Sequence, residues 1–180
     1  AGIGYGGSCL PKDTNGLLWI AREAGYDFKI VKSVIKVNER QYKIVIEKLQ
    51  KYLGKLKGKT IGVLGLAFKE NTDDIRESVS IKIIGELLNE GVELKAHDPK
   101  AINNAMKVFG NVAYFEDPYK MVKDADAIVV ATEWPEYKEL DWRRVKDLMK
   151  GTLMIDGRNL LDSEEMKKYG FTYEGIGRRK

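Results

Sequence analysis

Thr60-Ile61-Gly62-Val63-Leu64-Gly65-Leu66-Ala67-Phe68-Lys69 is the stretch whose reading decides the fold. Residues 60–66 form a short apolar run and read as a strand; Gly62 and Gly65 permit close approach of another backbone. Downstream, short apolar runs alternate with amphipathic stretches. Strands are expected at 92–97, 112–114, 127–131 and 153–155, with a last one near 171–173. Helices fit 78–89, 101–109, 119–123, 142–150 and 163–169. Repeated β-α alternation predicts an α/β fold, a Rossmann-like, doubly wound parallel sheet over residues 58–180.

The preceding part, residues 1–57, reads differently. Ala1-Gly2-Ile3-Gly4-Tyr5-Gly6-Gly7-Ser8-Cys9 holds four glycines and is expected to form no regular element. Pro11 suits the first turn of a helix, Leu17, Leu18, Ile20 and Ala21 give that helix an apolar face, and Gly25 can stop it. A long central helix is predicted over 27–53, where Phe28, Val31, Val34, Ile35, Asn38, Tyr42, Val45, Ile46, Leu49 and Leu53 recur at helical spacing. At 1.5 Å per residue it would span roughly 40 Å. Such a helix bridges domains, packs against another copy, or lies on the core. Residues 54–58 read as a linker.

The chain has 180 residues, 43% hydrophobic and 32% charged, with a formal net charge of +4. That composition suits a soluble globular protein. No apolar run reaches the roughly 20 residues of a membrane span, and no signal peptide is evident, so a cytoplasmic protein with no membrane contact is expected. The basic run Arg178-Arg179-Lys180 reads as a solvated tail, and nothing calls for a nucleic-acid partner. A single Cys and a single His exclude an internal disulfide and the usual Cys/His zinc sites, so no metal is expected.

In a doubly wound sheet, ligands bind beyond the carboxyl ends of the strands. The second strand ends in His97-Asp98-Pro99, where the acid serves either a ribose hydroxyl or a turn. The fifth ends in Asp156-Gly157-Arg158, whose cation suits a diphosphate. His97 reads as a structural residue, and Trp19, Trp134 and Trp142 as packing residues. Cys9 lies between the glycine loop and a helix start, where the helix terminus and Lys12 would favour thiolate over thiol. On these grounds it reads as nucleophile or as inert thiol.

Gly2-Ile3-Gly4-Tyr5-Gly6-Gly7-Ser8-Cys9-Leu10-Pro11-Lys12-Asp13 resembles the catalytic cysteine motif of the UDP-glucose/GDP-mannose dehydrogenase family. Gly65-Leu66-Ala67-Phe68-Lys69 with Asp74-Ile75-Arg76-Glu77-Ser78, Asp156-Gly157-Arg158, and Gly175-Ile176-Gly177-Arg178 resemble its later signatures. Residues 8–13 and the closing segment look more like the UDP-glucose dehydrogenases than the UDP-N-acetylmannosamine dehydrogenases; the GDP-mannose enzymes share much of the cysteine motif. The resemblance implies NAD as cofactor and UDP-glucose, or a related nucleotide sugar, as substrate. It implies that Cys9 is the nucleophile and that Asp13 orients or activates water. Tyr5, Gly6, Phe68, Lys69 and Arg158 would bind substrate. Lys12 would lie near the cofactor, and Arg76 would reach it. A homodimer through the long helix is implied as well.

Members of this family begin with an NAD-binding domain. Gly2, Gly4 and Gly7 match the spacing of its glycine fingerprint, but no strand precedes them. The chain therefore reads as a C-terminal portion lacking the NAD-binding domain, and is expected to be inactive alone. The rival reading is a non-catalytic nucleotide-sugar-binding or dimerisation module.

Overall fold

The computed structural model describes residues 2–178; Ala1 and, of the basic tail, Arg179 and Lys180 lie outside the described residues. Six parallel strands form one sheet: β1 (Thr60–Leu64), β2 (Glu93–His97), β3 (Ala113–Tyr114), β4 (Ala127–Val130), β5 (Leu153–Asp156) and β6 (Thr172–Gly175). Their order is β3-β2-β1-β4-β5-β6, the doubly wound arrangement that the alternation predicts. The strands buried on both faces are the apolar ones; Ile61, Val63, Leu64 and all four residues of β4 are buried.

The connecting helices are α4 (Val79–Asn89), α5 (Ile102–Met106), α6 (Pro118–Val122), α7 (Trp142–Leu148) and α8 (Ser163–Lys168). The last three open with a carboxylate cap, Asp117, Asp141 and Asp162 each accepting hydrogen bonds from first-turn N–H groups. β1 ends two residues earlier than predicted. Gly65 turns at φ 98°, and a Cβ there would lie 2.4 Å from the Thr132 side chain. The last strand begins one residue later than predicted and runs to Gly175.

Three helices precede the sheet: α1 (Leu10–Glu23), α2 (Lys29–Gln41) and α3 (Lys43–Leu53). Gly25 stops α1 as anticipated, with Gly25 N–H donating to Arg22 and Tyr26 N–H to Ala21. The predicted long helix is two helices, interrupted at Tyr42. Tyr42 keeps helical angles, but its carbonyl accepts from Val45 three residues on, which tightens the turn and resets the ladder. The halves have different environments. α3 buries Val45, Ile46 and Leu49, whereas α2 buries no side chain.

The packing reading of Trp19 is overturned: it is 62% exposed, beside the exposed Leu17 and Ile20 on α1, while Trp134 and Trp142 are buried. The linker reading of 54–58 is modified, because Leu56 enters the core and Gly58 N–H donates to the Gly91 carbonyl. Ile3 belongs to the same apolar core as the sheet, so the glycine loop is packed down at its start. No described helix is long and apolar enough to cross a membrane.

His97 is buried at the end of β2, its Nδ1 3.0 Å from the Tyr137 hydroxyl, which supports its structural reading. Burial pulls this imidazole below its usual value of 6.5, against the raising influence of Asp98, the Glu116 backbone, Asp117 and Glu136. The unfolded chain therefore takes up a proton first, so the contribution is complete above pH 6.5 and fades as pH falls. Thermal unfolding of the wild type should lose more stability between about pH 7 and 5 than His97→Gln does. Equal slopes would refute this.

Candidate active site

Ile3 and Gly4 lie at the carboxyl ends of β4 and β5, and Gly6 and Gly7 lie against residues 68–77 beyond β1, the loop being held mainly through its backbone. Ile3 N–H donates to the Gly157 carbonyl at 3.2 Å, and Gly7 N–H to Arg76 at 3.0 Å. Gln41 Nε2 donates to Gly2 at 2.9 Å. The Asn38 amide closes a ring on Tyr5: Oδ1 accepts from its N–H at 2.8 Å, and Nδ2 donates to its carbonyl at 3.0 Å. Gly6 and Gly7 are demanded by close approach. A Cβ on Gly6 would lie 2.2 Å from the Glu77 carbonyl oxygen, and one on Gly7 2.7 Å from the Phe68 ring. The cysteine loop and the 65–78 segment, far apart in sequence, are thereby fitted to one another.

The facing wall is residues 65–69. Asp98 holds it: Oδ2 accepts from Leu66 N–H at 2.7 Å, Ala67 N–H at 3.1 Å and Trp134 Nε1 at 3.0 Å. Oδ1 accepts from Lys100 and Ala101 N–H. At 2% exposure, this acid is committed to the protein rather than to a ribose hydroxyl, which decides the alternative left open by the sequence. Ser78 Oγ donates to the Leu66 carbonyl and Thr132 Oγ1 to that of Ala67. Phe68 is half-buried and Lys69 exposed, with Nζ 5.7 Å from the Phe68 ring centroid. Lys69 makes no ion pair, and the Tyr5 hydroxyl no hydrogen bond, among the described residues.

Arg158 is engaged differently. Nε donates to the Ala131 carbonyl at 2.8 Å and Nη1 to Gly4 at 3.1 Å, while Glu133 stands 3.8 Å away. Its side chain is 13% exposed, and burial pulls the guanidinium below its usual value while Glu133 and Glu70 act oppositely. Arg158 thus ties the glycine loop to the sheet edge.

Cys9 is exposed at the start of α1, with Sγ 3.8 Å from Ser8 Oγ. The helix has no side-chain cap, and because Pro11 has no N–H, its uncapped first-turn donors are those of Leu10 and Lys12. Lys12 pairs with Asp13 at 2.9 Å. That hydrogen bond, with the charge of Asp13 and a smaller influence from Cys9, raises the Lys12 ammonium above its usual value. Arg76 chelates Asp74, its Nη2 2.7 Å from Oδ2. Asp74 raises the guanidinium in the same manner, and Cys9 again contributes. Two exposed cations therefore stand within electrostatic reach of the sulfur, each already partnered by a carboxylate.

The glycine loop that carries Tyr5, Gly6 and Cys9 meets Phe68 through Gly7 and Arg158 through Gly4. Domain models of one family cover this region: the UDP-glucose/GDP-mannose dehydrogenase family, UDP binding domain, over residues 62–163, and that family's central domain over residues 1–40. The chain belongs to the UDP-glucose/GDP-mannose dehydrogenase family.

Relatives within this family are similar along the whole chain. UDP-glucose 6-dehydrogenase TuaD of Bacillus subtilis is 49% identical over 179 residues, covering 99% of this chain and 39% of that protein. The UDP-glucose 6-dehydrogenase of Rickettsia conorii is 44% identical over 180 residues, covering 98% and 42%. The UDP-glucose dehydrogenase structure from the hyperthermophilic archaeon Pyrobaculum islandicum superposes with TM-score 0.87 at 37% identity, covering 99% of this chain and 39% of that one. A UDP-D-ManNAc dehydrogenase structure from Pyrococcus horikoshii gives 0.81 at 35% identity, covering 98% and 40%. The chain spans about two-fifths the length of these relatives.

Asn38, Gln41, Thr132 and Asp98 are the site-building residues that sequence reasoning missed or left undecided. Two of them had a legible signal, Asn38 as a polar residue inside an apolar helical stripe and Asp98 as an acid at a strand end. Asp98→Ala would strand four buried N–H donors, those of Leu66, Ala67, Ala101 and the Trp134 ring, and the part-buried one of Lys100. Urea unfolding should show a loss of about 3 kcal/mol, with a smaller loss for Asp98→Asn; a change under about 0.5 kcal/mol would disprove that role.

Proposed function

We propose that this chain is the sugar-nucleotide and cysteine-bearing portion of an NAD-dependent UDP-glucose 6-dehydrogenase. In this reading residues 1–57 carry the cysteine loop and central helices, residues 58–180 bind UDP-glucose, and the parent protein is cytoplasmic. The observation that supports it is the fit of Gly6 and Gly7 against Glu77 and Phe68, which joins the loop that carries Cys9 to the segment that carries Lys69. Tyr5 and Lys69 offer uncommitted polar groups there, suited to a diphosphate and a sugar.

The parent reaction takes the C6 alcohol to a carboxylate in two oxidations. NAD, when bound, accepts the hydride of each. Cys9 thiolate adds to the C6 aldehyde carbon, placing the carbonyl electron pair on oxygen. The tetrahedral adduct is a far better hydride donor than the free aldehyde, and its oxidation leaves a thioester. Water held by Asp13 then attacks the thioester carbon, and the C–S bond breaks to return the thiolate and release the uronate.

The glycine loop does not fit a dinucleotide cradle: the space beside Gly6 and Gly7 is filled by Glu77 and Phe68. Lys12 and Arg76, exposed and cationic beside Cys9, do fit one edge of an anionic cofactor's site. We therefore expect this chain by itself to bind the nucleotide sugar without turnover. Calorimetry should detect UDP and UDP-glucose, with Lys69→Ala weakening both about tenfold, and no NADH should form. Absence of binding by the wild type, or robust NADH production, would overturn the reading. Similarity to the Pyrococcus horikoshii structure favours a second reading in which another UDP-sugar is bound; competition between UDP-glucose and UDP-N-acetylmannosamine decides between them.

A homodimer through the central helices forms part of the proposal, and α2 is the half suited to it. Ile30 is 73% exposed, with Val34 and Val37 also exposed on α2 and Trp19 and Ile20 on α1. Light scattering should report a dimer that Val34→Glu converts to monomer. A monomeric wild type at high concentration counts against it.

A further inference from the structure

We infer that Asn38 is a positioning residue for the sugar nucleotide, acting through the peptide of Tyr5; this rests on the nucleotide-sugar reading of the site. The geometry is specific. The Asn38 side chain takes both the N–H and the carbonyl of Tyr5, at 2.8 and 3.0 Å, so each of the two peptides flanking Tyr5 is pinned by one bond and neither can rotate without breaking it. Gly4 makes room for this amide: at φ 112° it would place a Cβ 2.9 Å from Asn38 Oδ1. With its backbone held, Tyr5 projects a hydroxyl that has no hydrogen-bond partner among the described residues.

The helix that carries Asn38 makes the contact more than general packing. α2 buries none of its side chains, so its hold on the glycine loop comes from Asn38 and, one turn on, Gln41 Nε2 donating to Gly2. Beyond Tyr5 the loop has a separate anchor, Gly7 N–H on the Arg76 carbonyl. Removing the Asn38 amide should therefore loosen Tyr5 while leaving Cys9 in place. A ligand binding the loosened loop must reorder it, which weakens affinity.

The experiment compares the wild type with Asn38→Ala, Asn38→Asp, Tyr5→Phe and the double variant Asn38→Ala/Tyr5→Phe. UDP-glucose affinity is read by calorimetry, Cys9 alkylation by iodoacetamide across pH, and backbone exchange at residues 4–6 by mass spectrometry. Asn38→Ala should weaken UDP-glucose about tenfold with the Cys9 alkylation profile unchanged. Asn38→Asp, which keeps the acceptor for Tyr5 N–H and loses the donor, should fall between. The double variant should be no weaker than the worse single variant, because both act through one side chain. Unchanged affinity in Asn38→Ala, multiplying losses in the double variant, or a loss that tracks global unfolding would overturn the inference. A wild type that binds no UDP-glucose refutes the reading of the site instead. In that case exchange at residues 4–6 still decides the loop-holding role: faster exchange in Asn38→Ala upholds it, and equal exchange ends it.

Discussion

The arrangement depends on one constraint: an irregular glycine loop that runs from the carboxyl ends of β4 and β5 to residues 68–77, held by hydrogen bonds to its main chain. A segment without regular structure has no ladder to satisfy its amides and carbonyls, so its neighbours must do so. Gly157, Arg76, Arg158, Asn38 and Gln41 supply those partners from the sheet edge, the β1–α4 connection and α2. Because the partners come from three elements, the loop can settle only once the sheet and helices are assembled. The approach is so close that side chains at Gly6 and Gly7 would collide with Glu77 and Phe68.

That constraint sorts the charged and polar groups into two kinds. Asp98 and Arg158 are consumed by the scaffold. One caps the N–H groups that follow β1, and the other bridges two carbonyls. Buried ionic groups survive in such places because backbone partners meet them: both oxygens of Asp98 accept from N–H groups, and Nε and Nη1 of Arg158 donate to carbonyls. Lys69 and the Tyr5 hydroxyl stay uncommitted at the rim, while Lys12 and Arg76 are held by neighbouring carboxylates beside an exposed thiol. A site assembled in this way presents ligand-binding groups against a rigid backing.

Much of this was legible beforehand. The buried strands could be read because a parallel sheet covered on both faces demands continuous apolar runs, and 60–66 and 127–131 have them. Cys9 at a helix start could be read from Gly7, Pro11 and the change of composition between them. The break at Tyr42 could not, since the apolar spacing continues through it, and only the different neighbours of α2 and α3 separate the halves. Trp19 was misjudged for a related reason: an apolar side chain on a helical face signals a contact, not which surface makes it.

By itself, then, the sequence determined the doubly wound sheet, the cysteine loop and the family, because strand burial, glycine freedom and local motifs are encoded by neighbouring residues. Only the tertiary structure decided that Asp98 is a scaffold carboxylate, that Arg158 anchors a loop, and that Asn38 holds Tyr5. Each of those roles is a hydrogen bond between residues more than 25 positions apart, and such pairings exist only after the chain has folded back on itself.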